Sequence, residues 1–347
     1  MKAKNIGIYE VSTNTLSCEP LLERAKNGEL VCVCQQDGIT EPSKDNRVYV
    51  FHSKDNGKSW SGRTNIYKED GNAVYATELM VNDNEMSAFV VTHSGGFLDT
   101  KSLVLKSFDN GYTWENFGST PHLSEYTFVR GALKTKNNQI IIPYHYFPIT
   151  EEEKERVLNN SCETQRNIAL TKTPTCETGV LISSDNGKTY KKYTACVISM
   201  EEKGWSWAEP TIAELSDNKI AMLMRNECTG WLYRCDSNDG GKTWGEFYMT
   251  DIPNPSNKPK LINLEGGKIA LIHTPNNVLN EQGYGKRYPY EMWISEDDMK
   301  TWNVKIRLTD FPGEYSYTDG FYENGHVYFV VEHNRHTVLF FDVELEY

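Results

Sequence analysis

The 347-residue sequence lacks the features of several common functional classes. No apolar run reaches the roughly 18 residues that a membrane-spanning helix requires. Its 36 lysines and arginines are outnumbered by 48 aspartates and glutamates. The resulting net charge of −12 disfavours nucleic acid as a partner, because phosphate binding requires a basic surface. No apolar segment follows the basic residues at the start of the chain, so no secretion signal is evident and we expect a cytoplasmic protein.

The eight cysteines are scattered and lack the spacing of a metal site or a disulfide framework. The sequence contains no Cys-x-x-Cys motif and no His-Glu-x-x-His motif. Cys32 and Cys34 lie two residues apart on a predicted strand and therefore share one face. We expect reduced thiols, no metal site and no cofactor.

A turn motif of the form Ser-x-Asp-x-Gly-x-Thr-Trp recurs along the chain. Its aspartate can accept backbone N–H groups of a tight turn, its glycine can adopt positive φ, and its tryptophan can pack against the hairpin. The copies are residues 53–60, 107–114, 183–190, 237–244 and 295–302. One copy ends in Tyr190, and the last has Met299 in place of the glycine. The motif is structural, and its repetition indicates a repeat architecture.

A second repeat supports the first. Six times a polar turn leads into an apolar strand, which is a hairpin signal. These strands are predicted at residues 30–34, 86–91, 140–144, 220–224, 269–273 and 327–331. Each of the first five precedes a turn motif, and successive motifs are 54, 76, 54 and 58 residues apart. The pattern predicts an all-β protein, a six-bladed β-propeller with four strands per blade, as a single domain over residues 1–347. A strand near residues 6–9 is expected to complete the last blade beside the C-terminal strands.

The longest interval contains an insertion at about residues 146–178. Within it, residues 149–158 predict a short helix, because Thr150 can cap it and glutamates occupy its first turn. This helix could be a solvated decoration or a lid over the central cleft.

Polar residues occupy the positions where the inner strands of the blades are predicted to begin. A purely structural column would be apolar, but this one contains acids, cations and tyrosines. Its members are Glu19, Tyr75, Arg130, Glu209, Lys258, Tyr315 and Tyr317. The sequence therefore predicts a functional site at the mouth of the central channel.

The turn motifs, together with segments 209–212, 222–225 and 233–234, resemble the sialidase (neuraminidase) superfamily with BNR repeats, and within it the bacterial BNR repeat-like branch. The resemblance covers nearly the whole chain and implies a sialidase-like fold. It also implies hydrolysis of a terminal sialic acid, with a tyrosine nucleophile, a glutamate that activates it, an aspartate as acid/base and three arginines on the sugar carboxylate. Neutral tyrosine is not repelled by an anionic sugar, glutamate can accept its proton, and arginine binds carboxylates bidentately.

The resemblance assigns the catalytic roles to particular residues. Glu209 stands where the family has its activating glutamate. The nucleophile is expected at Tyr315, which fits the family's Tyr-Ser motif, or at its neighbour Tyr317. Asp45 is the expected acid/base, and Asp37 is the alternative.

The substrate-binding residues follow the resemblance only in part. Arg225 matches the second arginine of the family and Arg287 the third, and we add Arg130 and Glu19 from the inner-strand column. The first arginine is missing, because its place has the sequence Cys-Glu-Pro rather than Arg-Ile-Pro. Glu19 would repel a bound carboxylate, so a sugar other than sialic acid is an open alternative.

Histidines provide a further alternative. His93 and His145 follow inner-blade strands, and His333 and His336 flank Arg335. Such groups could abstract a proton beside a uronate, as in propeller-fold polysaccharide lyases. The leading prediction is a glycoside hydrolase that removes a terminal acidic sugar, such as sialic acid, from a glycan. A non-catalytic glycan-binding propeller, and a glycosidase or lyase for a different sugar, are the alternatives.

Overall fold

The computed structural model describes residues 1–94, 100–120, 122–123, 127–146, 151–152, 155, 175–199, 208–226 and 229–346. The strands of these residues form six antiparallel sheets. In five sheets the strand order follows the chain, and the sixth combines the last three strands with the first one. We call the sheets blades one to six.

The strand bounds of the first three blades follow the order of the chain. The chain begins with β1 (Lys2–Thr13), which belongs to blade six. Blade one contains β2 (Ser17–Arg24), β3 (Leu30–Gln36), β4 (Arg47–Ser53) and β5 (Thr64–Tyr67). Blade two contains β6 (Ala73–Asn82), β7 (Glu85–His93), β8 (Lys101–Ser107) and β9 (Glu115–Ser119). Blade three contains β10 (Thr127–Val129), β11 (Leu133–Lys134), β12 (Ile140–Tyr146), β13 (Thr175–Ser183) and β14 (Lys191–Ser199).

The other three blades have the same antiparallel form. Blade four contains β15 (Pro210–Glu214), β16 (Ile220–Met224), β17 (Trp231–Ser237) and β18 (Tyr248–Pro253). Blade five contains β19 (Lys260–Asn263), β20 (Ile269–His273), β21 (Glu291–Ser295) and β22 (Val304–Arg307). Blade six contains β23 (Tyr315–Glu323), β24 (His326–His333) and β25 (Thr337–Glu346) beside β1. Single 3-10 turns, Ser216–Asn218 and Glu265–Gly267, join the first two strands of blades four and five.

The ring closes where the two ends of the chain share blade six. β1 pairs with β25 along its length, from Lys2 opposite Glu346 to Thr13 opposite Thr337. The inner strand β2 contacts both β6 of blade two and β23 of blade six. This arrangement confirms the predicted six-bladed β-propeller and the predicted N-terminal strand of its last blade. The assignment of residues 1–347 to a single domain stays a prediction.

Apolar side chains fill the space between neighbouring blades. At the seam between blades six and one, Phe340 packs in a buried cluster with Phe51 and Tyr328. Gly57 of the first turn motif has a φ of 84°, and a Cβ atom there would lie 2.0 Å from the Phe340 ring. Only glycine satisfies both the backbone conformation and the close approach. A local turn motif therefore also contributes to closure of the ring.

The turn motifs are held by hydrogen bonds within the motif. In the fourth copy, Asp239 Oδ1 accepts hydrogen bonds from Ser237 Oγ and Thr243 N, both at 2.8 Å. Its Oδ2 accepts the Thr243 hydroxyl at 2.7 Å, and Trp244 Nε1 donates to Gly241 O at 2.9 Å. Because these donors favour the ionised carboxylate, Thr243 first among them, they lower the pKa of Asp239 to about 2. The predicted structural role of the motif is confirmed.

The fifth copy of the motif has a different arrangement around Met299. This residue has a φ of 61°, in the left-handed region that favours glycine, and its side chain is buried between blades four and five. Its carbonyl oxygen accepts a hydrogen bond from Arg234 Nη1 at 2.8 Å. The burial of the methionine side chain offsets the unfavourable backbone conformation.

The predicted insertion at residues 146–178 and its helix at 149–158 fall almost wholly outside the described residues. β12 ends at the first residue of this segment, and β13 begins within it. Within the part of the chain that the structure describes, no helix has the length and apolar character needed to cross a membrane.

Candidate functional site

A cavity of about 300 Å³ opens where the inner strands of the blades begin. We call it the central cavity. Its charged lining residues are Glu19, Glu41, Arg130, Glu209, Arg225, Arg287 and Arg335. Four arginines therefore face three glutamates in the described lining, and the local excess of positive charge contrasts with the net charge of the chain. Such a lining is complementary to an anionic ligand.

Local distortions of two inner strands direct side chains into the central cavity. Glu19 and Tyr317 have φ values of 51° and 53°, which are unusual for residues other than glycine. Both lie at interruptions of strand pairing, in β2 opposite β3 and in β23 opposite β24. A bulge in a strand redirects a side chain, and strained backbone is tolerated where the surrounding structure supports it. These two positions are therefore candidates for functional side chains.

Glu209 is at the centre of the charged network. Its side chain is buried, its Oε2 accepts a hydrogen bond from Arg225 Nη1 at 2.6 Å, and its Oε1 accepts one from Arg130 Nη2 at 3.3 Å. Burial raises the pKa of Glu209, but the charges of Arg225 and Arg130 outweigh burial and lower the pKa to about 2. Glu209 is therefore ionised at neutral pH. The two arginines hold it at the start of β15.

Arg130 also neutralises Glu19, which lies next to the position where the first arginine was expected. Its Nη1 and Nη2 donate to the two carboxylate oxygens of Glu19 at 2.9 and 3.1 Å. Burial raises the pKa of Glu19 to about 7, and the charge of Arg130 opposes this rise. The sequence alone predicted that Glu19 would repel a carboxylate. Because Arg130 binds Glu19 bidentately, that repulsion is largely offset.

Tyr317 contacts the same network from blade six. Arg225 Nη1 lies 3.5 Å from the Tyr317 hydroxyl, so one guanidinium group contacts both Glu209 and the tyrosine. Arg287 lies 5.9 Å from the centroid of the Tyr317 ring and donates to Ser316 Oγ at 2.6 Å. Burial, followed by the charge of Glu209, raises the pKa of Tyr317 above its usual value. The tyrosine is therefore a neutral hydroxyl at physiological pH.

The structure places Tyr315 in the core. Its hydroxyl donates to Phe311 O at 3.0 Å, and its ring stacks on Tyr290 with 4.8 Å between the centroids. It belongs to the apolar cluster between blades five and six and lies outside the described lining of the central cavity. Of the two tyrosines that the sequence offered, only Tyr317 lines the cavity. Tyr315 therefore belongs to the core, and the predicted nucleophile stays a prediction for which Tyr317 is the candidate in the described lining.

The structure does not bring either predicted aspartate to the central cavity. Asp45 is exposed on the loop before β4 and lies outside the described lining. Asp37 also lies outside it and is bound by Arg63 at 2.6 Å and by the Tyr49 hydroxyl at 2.5 Å. The carboxylates that do line the cavity are glutamates. The predicted acid/base role of an aspartate stays a prediction that the described lining does not support.

Two charged residues of the lining were not among the sequence-based site candidates. Arg335, in the turn between β24 and β25, forms an ion pair with Glu41 from blade one. Its Nε lies 3.9 Å from Glu332 Oε1. Arg335 thus supplies an arginine from blade six, where the resemblance led us to expect one from blade one. A signal was present, since Arg225 and Arg335 lie one and two residues after the end of the second strand of a blade.

The four histidines proposed for a lyase lie outside the described lining of the central cavity. His145 stacks on Phe128 with 5.0 Å between centroids, and burial lowers its pKa to about 3. His93 packs edge-on against Tyr75 at 5.7 Å. His333 lies 5.0 Å from Tyr315, and His336 Nδ1 lies 2.5 Å from the carbonyl oxygen of Thr15. These contacts support structural roles.

The buried Glu332 is expected to make stability depend on pH. Burial raises its pKa to about 7, although Arg335 opposes this. A carboxyl group with a raised pKa in the folded state contributes stability that is complete below about pH 4.5 and is lost as the pH rises through 7. We expect the melting temperature of the wild type to fall between pH 5 and pH 8, and that of Glu332→Gln to fall by less. At pH 8 the free energy of unfolding of this variant should exceed that of the wild type by at most about 3 kcal/mol. Exposed Glu296→Gln is the control, and equal slopes in all three proteins would contradict the assignment.

The sequence profile of the BNR repeat-like domain matches residues 28–329. The chain belongs to this family. No curated protein sequence matches this BNR repeat-like protein. Its structure is similar to the Hadza microbial sialidase Hz136, with a TM-score of 0.74, 14% identity, and coverage of 96% of this chain and 66% of the other. A Dyadobacter fermentans protein of unknown function gives a TM-score of 0.71 at 16% identity over 98% and 100% of the two chains.

A Trypanosoma rangeli sialidase is also similar, with a TM-score of 0.67 and 14% identity, over 96% of this chain and 55% of that one. This BNR repeat-like chain therefore spans about two thirds or less of the two sialidases. At such identities the similarity establishes a sialidase-like fold. It does not extend to catalysis or to the substrate.

Proposed function

We propose that this protein is a sialidase-like glycoside hydrolase that removes a terminal acidic sugar, sialic acid or a relative, from a glycan. The observation that supports this proposal is the position of Arg225, whose Nη1 lies 2.6 Å from Glu209 and 3.5 Å from the Tyr317 hydroxyl. A potential nucleophile, a potential base and a cation therefore meet in a cavity lined by four arginines.

In the proposed reaction, the Tyr317 oxygen forms a bond to the anomeric carbon while the glycosidic bond to the leaving group breaks. The tyrosine proton passes to Glu209, and the leaving oxygen takes a proton from an acid. Water then attacks the anomeric carbon and breaks the glycosyl–tyrosine bond. Glu209 returns its proton to the tyrosine oxygen, and the acid takes a proton from the attacking water. The neutral state of Tyr317 suits attack on a sugar that carries a negative charge.

The low pKa of Glu209 in the free protein makes it a weak base, and substrate binding would change this. A sugar carboxylate competes with Glu209 for the Nη1 group of Arg225. When the arginine turns to the sugar, Glu209 loses its nearest cation and its pKa rises. The substrate itself would then activate the base. An uncharged sugar lacks this effect.

Glu19 is the acid/base that we propose in place of Asp45. It lines the central cavity, and its pKa of about 7 suits proton exchange at neutral pH. Glu41 lines the same cavity beside Arg335 and is the other carboxylate within reach of a bound sugar.

The test is release of a fluorescent group from a panel of glycosides by the wild-type protein. The panel contains a sialoside, a glucuronide, a galactoside and a glucoside. We expect release from an acidic sugar and at least about a hundredfold lower kcat/KM for the neutral ones, since two charge-assisted contacts are worth about 3 kcal/mol. Faster release from a neutral sugar would overturn the proposal.

Arg287 provides a test of acidic-sugar binding. It lines the central cavity next to Tyr317 and is held by Ser316 Oγ at 2.6 Å and the Ser256 carbonyl at 3.2 Å. We expect Arg287→Gln to raise KM for the cleaved acidic sugar about tenfold, because one charge-assisted contact is lost. Arg307→Gln, an exposed arginine in blade five that binds the Tyr288 hydroxyl, is the matched control. Equal KM values for the two variants would argue against an anion-binding role.

A non-catalytic glycan-binding propeller is the second candidate function. It is favoured by the pairing of Glu209 with two arginines, which is also what a purely structural carboxylate would show. Calorimetric titration with 3′-sialyllactose, followed by mass spectrometry of the recovered sugar, separates the two. Heat of binding with intact trisaccharide supports the binding protein, and free sialic acid supports the hydrolase.

A further inference from the structure

A second and larger cavity, of about 880 Å³, lies between blades four and five. We call it the rim groove. The edge strand β18 contributes residues to one side, and β21, β22 and the fifth turn motif contribute to the other. Four aromatic residues line it, namely Trp231, Tyr248, Trp293 and Trp302. It shares no described lining residue with the central cavity.

The tryptophan of the fifth turn motif has an indole group available for a ligand. In three other copies the indole N–H donates to the glycine carbonyl of the motif, at 2.8 to 3.0 Å. In the fifth copy that carbonyl belongs to Met299 and accepts Arg234 Nη1 instead. Among the hydrogen bonds of the described residues, none involves the indole N–H of Trp302 or of Trp231, and neither group is buried. In the copy where Met299 replaces the glycine, the indole N–H of Trp302 is therefore free to donate to a ligand in the rim groove, as is that of Trp231.

The charges of the rim groove oppose those of the whole protein. Lys300 and Lys305 are exposed in its lining, and neither forms an ion pair with a described carboxylate. Lys305 Nζ lies 3.6 Å from the centroid of the Trp293 ring, where it covers one aromatic face. Asp251 is the one acidic residue in the described lining, and Arg234 is paired with Asp236. The groove therefore has a local positive excess on a protein of net charge −12.

We propose that the rim groove binds a saccharide that carries a carboxylate, separately from the central cavity. Tyr248, which is 44% exposed, and the rings of Trp231 and Trp302 provide surfaces for the apolar faces of sugar rings. The two indole N–H groups can donate to hydroxyl oxygens. Lys300 and Lys305 supply the cations for the carboxylate. Aromatic surfaces combined with a few polar groups in a concave site are typical of ligand-binding pockets.

The proposal can be tested by fluorine NMR of the full-length protein labelled with 5-fluorotryptophan. Trp231→Phe and Trp302→Phe assign the two resonances from the rim groove. The acidic probes are 3′-sialyllactose and a hyaluronan tetrasaccharide, and the neutral probes are lactose and chitotetraose. We expect the acidic probes to shift both resonances and to bind at least about fivefold more tightly than the neutral ones, as expected for one favourable charge contact of about 1 kcal/mol.

Variants of the exposed lysines separate a charge-specific site from general stickiness. We expect Lys300→Gln and Lys305→Gln each to weaken the acidic probes about threefold and to leave the neutral probes unchanged. Lys58→Gln, at the equivalent position of the first turn motif, is the matched control. Arg287→Gln, in the central cavity, should leave these shifts unchanged. The proposal is overturned if the two resonances do not move, if neutral and acidic probes bind equally, or if the lysine variants bind as wild type.

Discussion

Replacement of Tyr317 by phenylalanine is expected to lower kcat for the cleaved acidic sugar by at least about a thousandfold, or about 4 kcal/mol in activation free energy. The substitution removes only the hydroxyl group. The ring can keep its position 5.5 and 5.9 Å from the guanidinium groups of Arg130 and Arg287, so binding of the sugar should change little. The expected signature is therefore a loss of kcat with KM within about threefold of the wild type.

Tyr315→Phe is the matched control for this prediction, because it removes the same atom two residues away. Its hydroxyl binds Phe311 O in the core, so its loss should lower the free energy of unfolding by about 1 kcal/mol and leave kcat nearly unchanged. Glu209→Gln should share the kcat loss of the Tyr317 variant. If the Tyr315 variant were the inactive one, or if Tyr317→Phe retained wild-type kcat, the assignment of the nucleophile would be wrong.

The fold could be predicted because its strongest signals are local. The Ser, Asp and Thr of the turn motif bind one another within seven residues, as Ser237, Asp239 and Thr243 do, and Ser59 takes the place of the Thr in the first copy. Their presence in the sequence therefore implies the turn directly. The spacing of the motifs then sets the number of blades, and the strand that completes blade six follows from the need to protect the edges of the ring.

The site was only partly predictable, since its decisive contacts are not local. Alternation along β23 would place Tyr315 and Tyr317 on the same side, but the bulge between Ser316 and Asp319 sends them to different environments. No pattern in the sequence marks that bulge. Arg335 and Glu41 are 294 positions apart, and their ion pair appears only when blades six and one meet.

The charge arrangement of the central cavity is more informative than the presence or absence of one arginine. Cys18 stands in place of the expected first arginine and Glu19 follows it, but Arg130 from blade three neutralises this glutamate and Arg335 from blade six adds a cation. Arg225 and Arg335 are also paired, with Glu209 and Glu41, so the four arginines exceed the three glutamates of the described lining by one. The missing arginine of blade one is thus accompanied by arginines from blades three and six in the same cavity. An acidic ligand remains compatible with the cavity.

Arg130→Met is expected to lower the free energy of unfolding by about 3–5 kcal/mol at pH 8, as is typical when one partner of a buried ion pair is removed. Arg130 is 3% exposed, and its loss leaves the buried Glu19 without its bidentate partner, while Glu209 keeps Arg225. The pair of exposed Arg63 with half-buried Asp37 provides the control, and Arg63→Met should cost less than about 1 kcal/mol.

The effect of Arg130→Met should also depend on pH in a defined direction. Without the arginine, the pKa of Glu19 rises further above its already raised value of about 7. The folded variant can then take up a proton on Glu19, so its loss of stability should be smaller at pH 5 than at pH 8. Adding Glu19→Gln should restore part of the stability at pH 8, because the unpaired charge is removed. Urea denaturation at the two pH values measures both effects. If the loss of stability were the same at both pH values and Glu19→Gln did not reduce it, Arg130 would stabilise the ring by packing and not by neutralising Glu19.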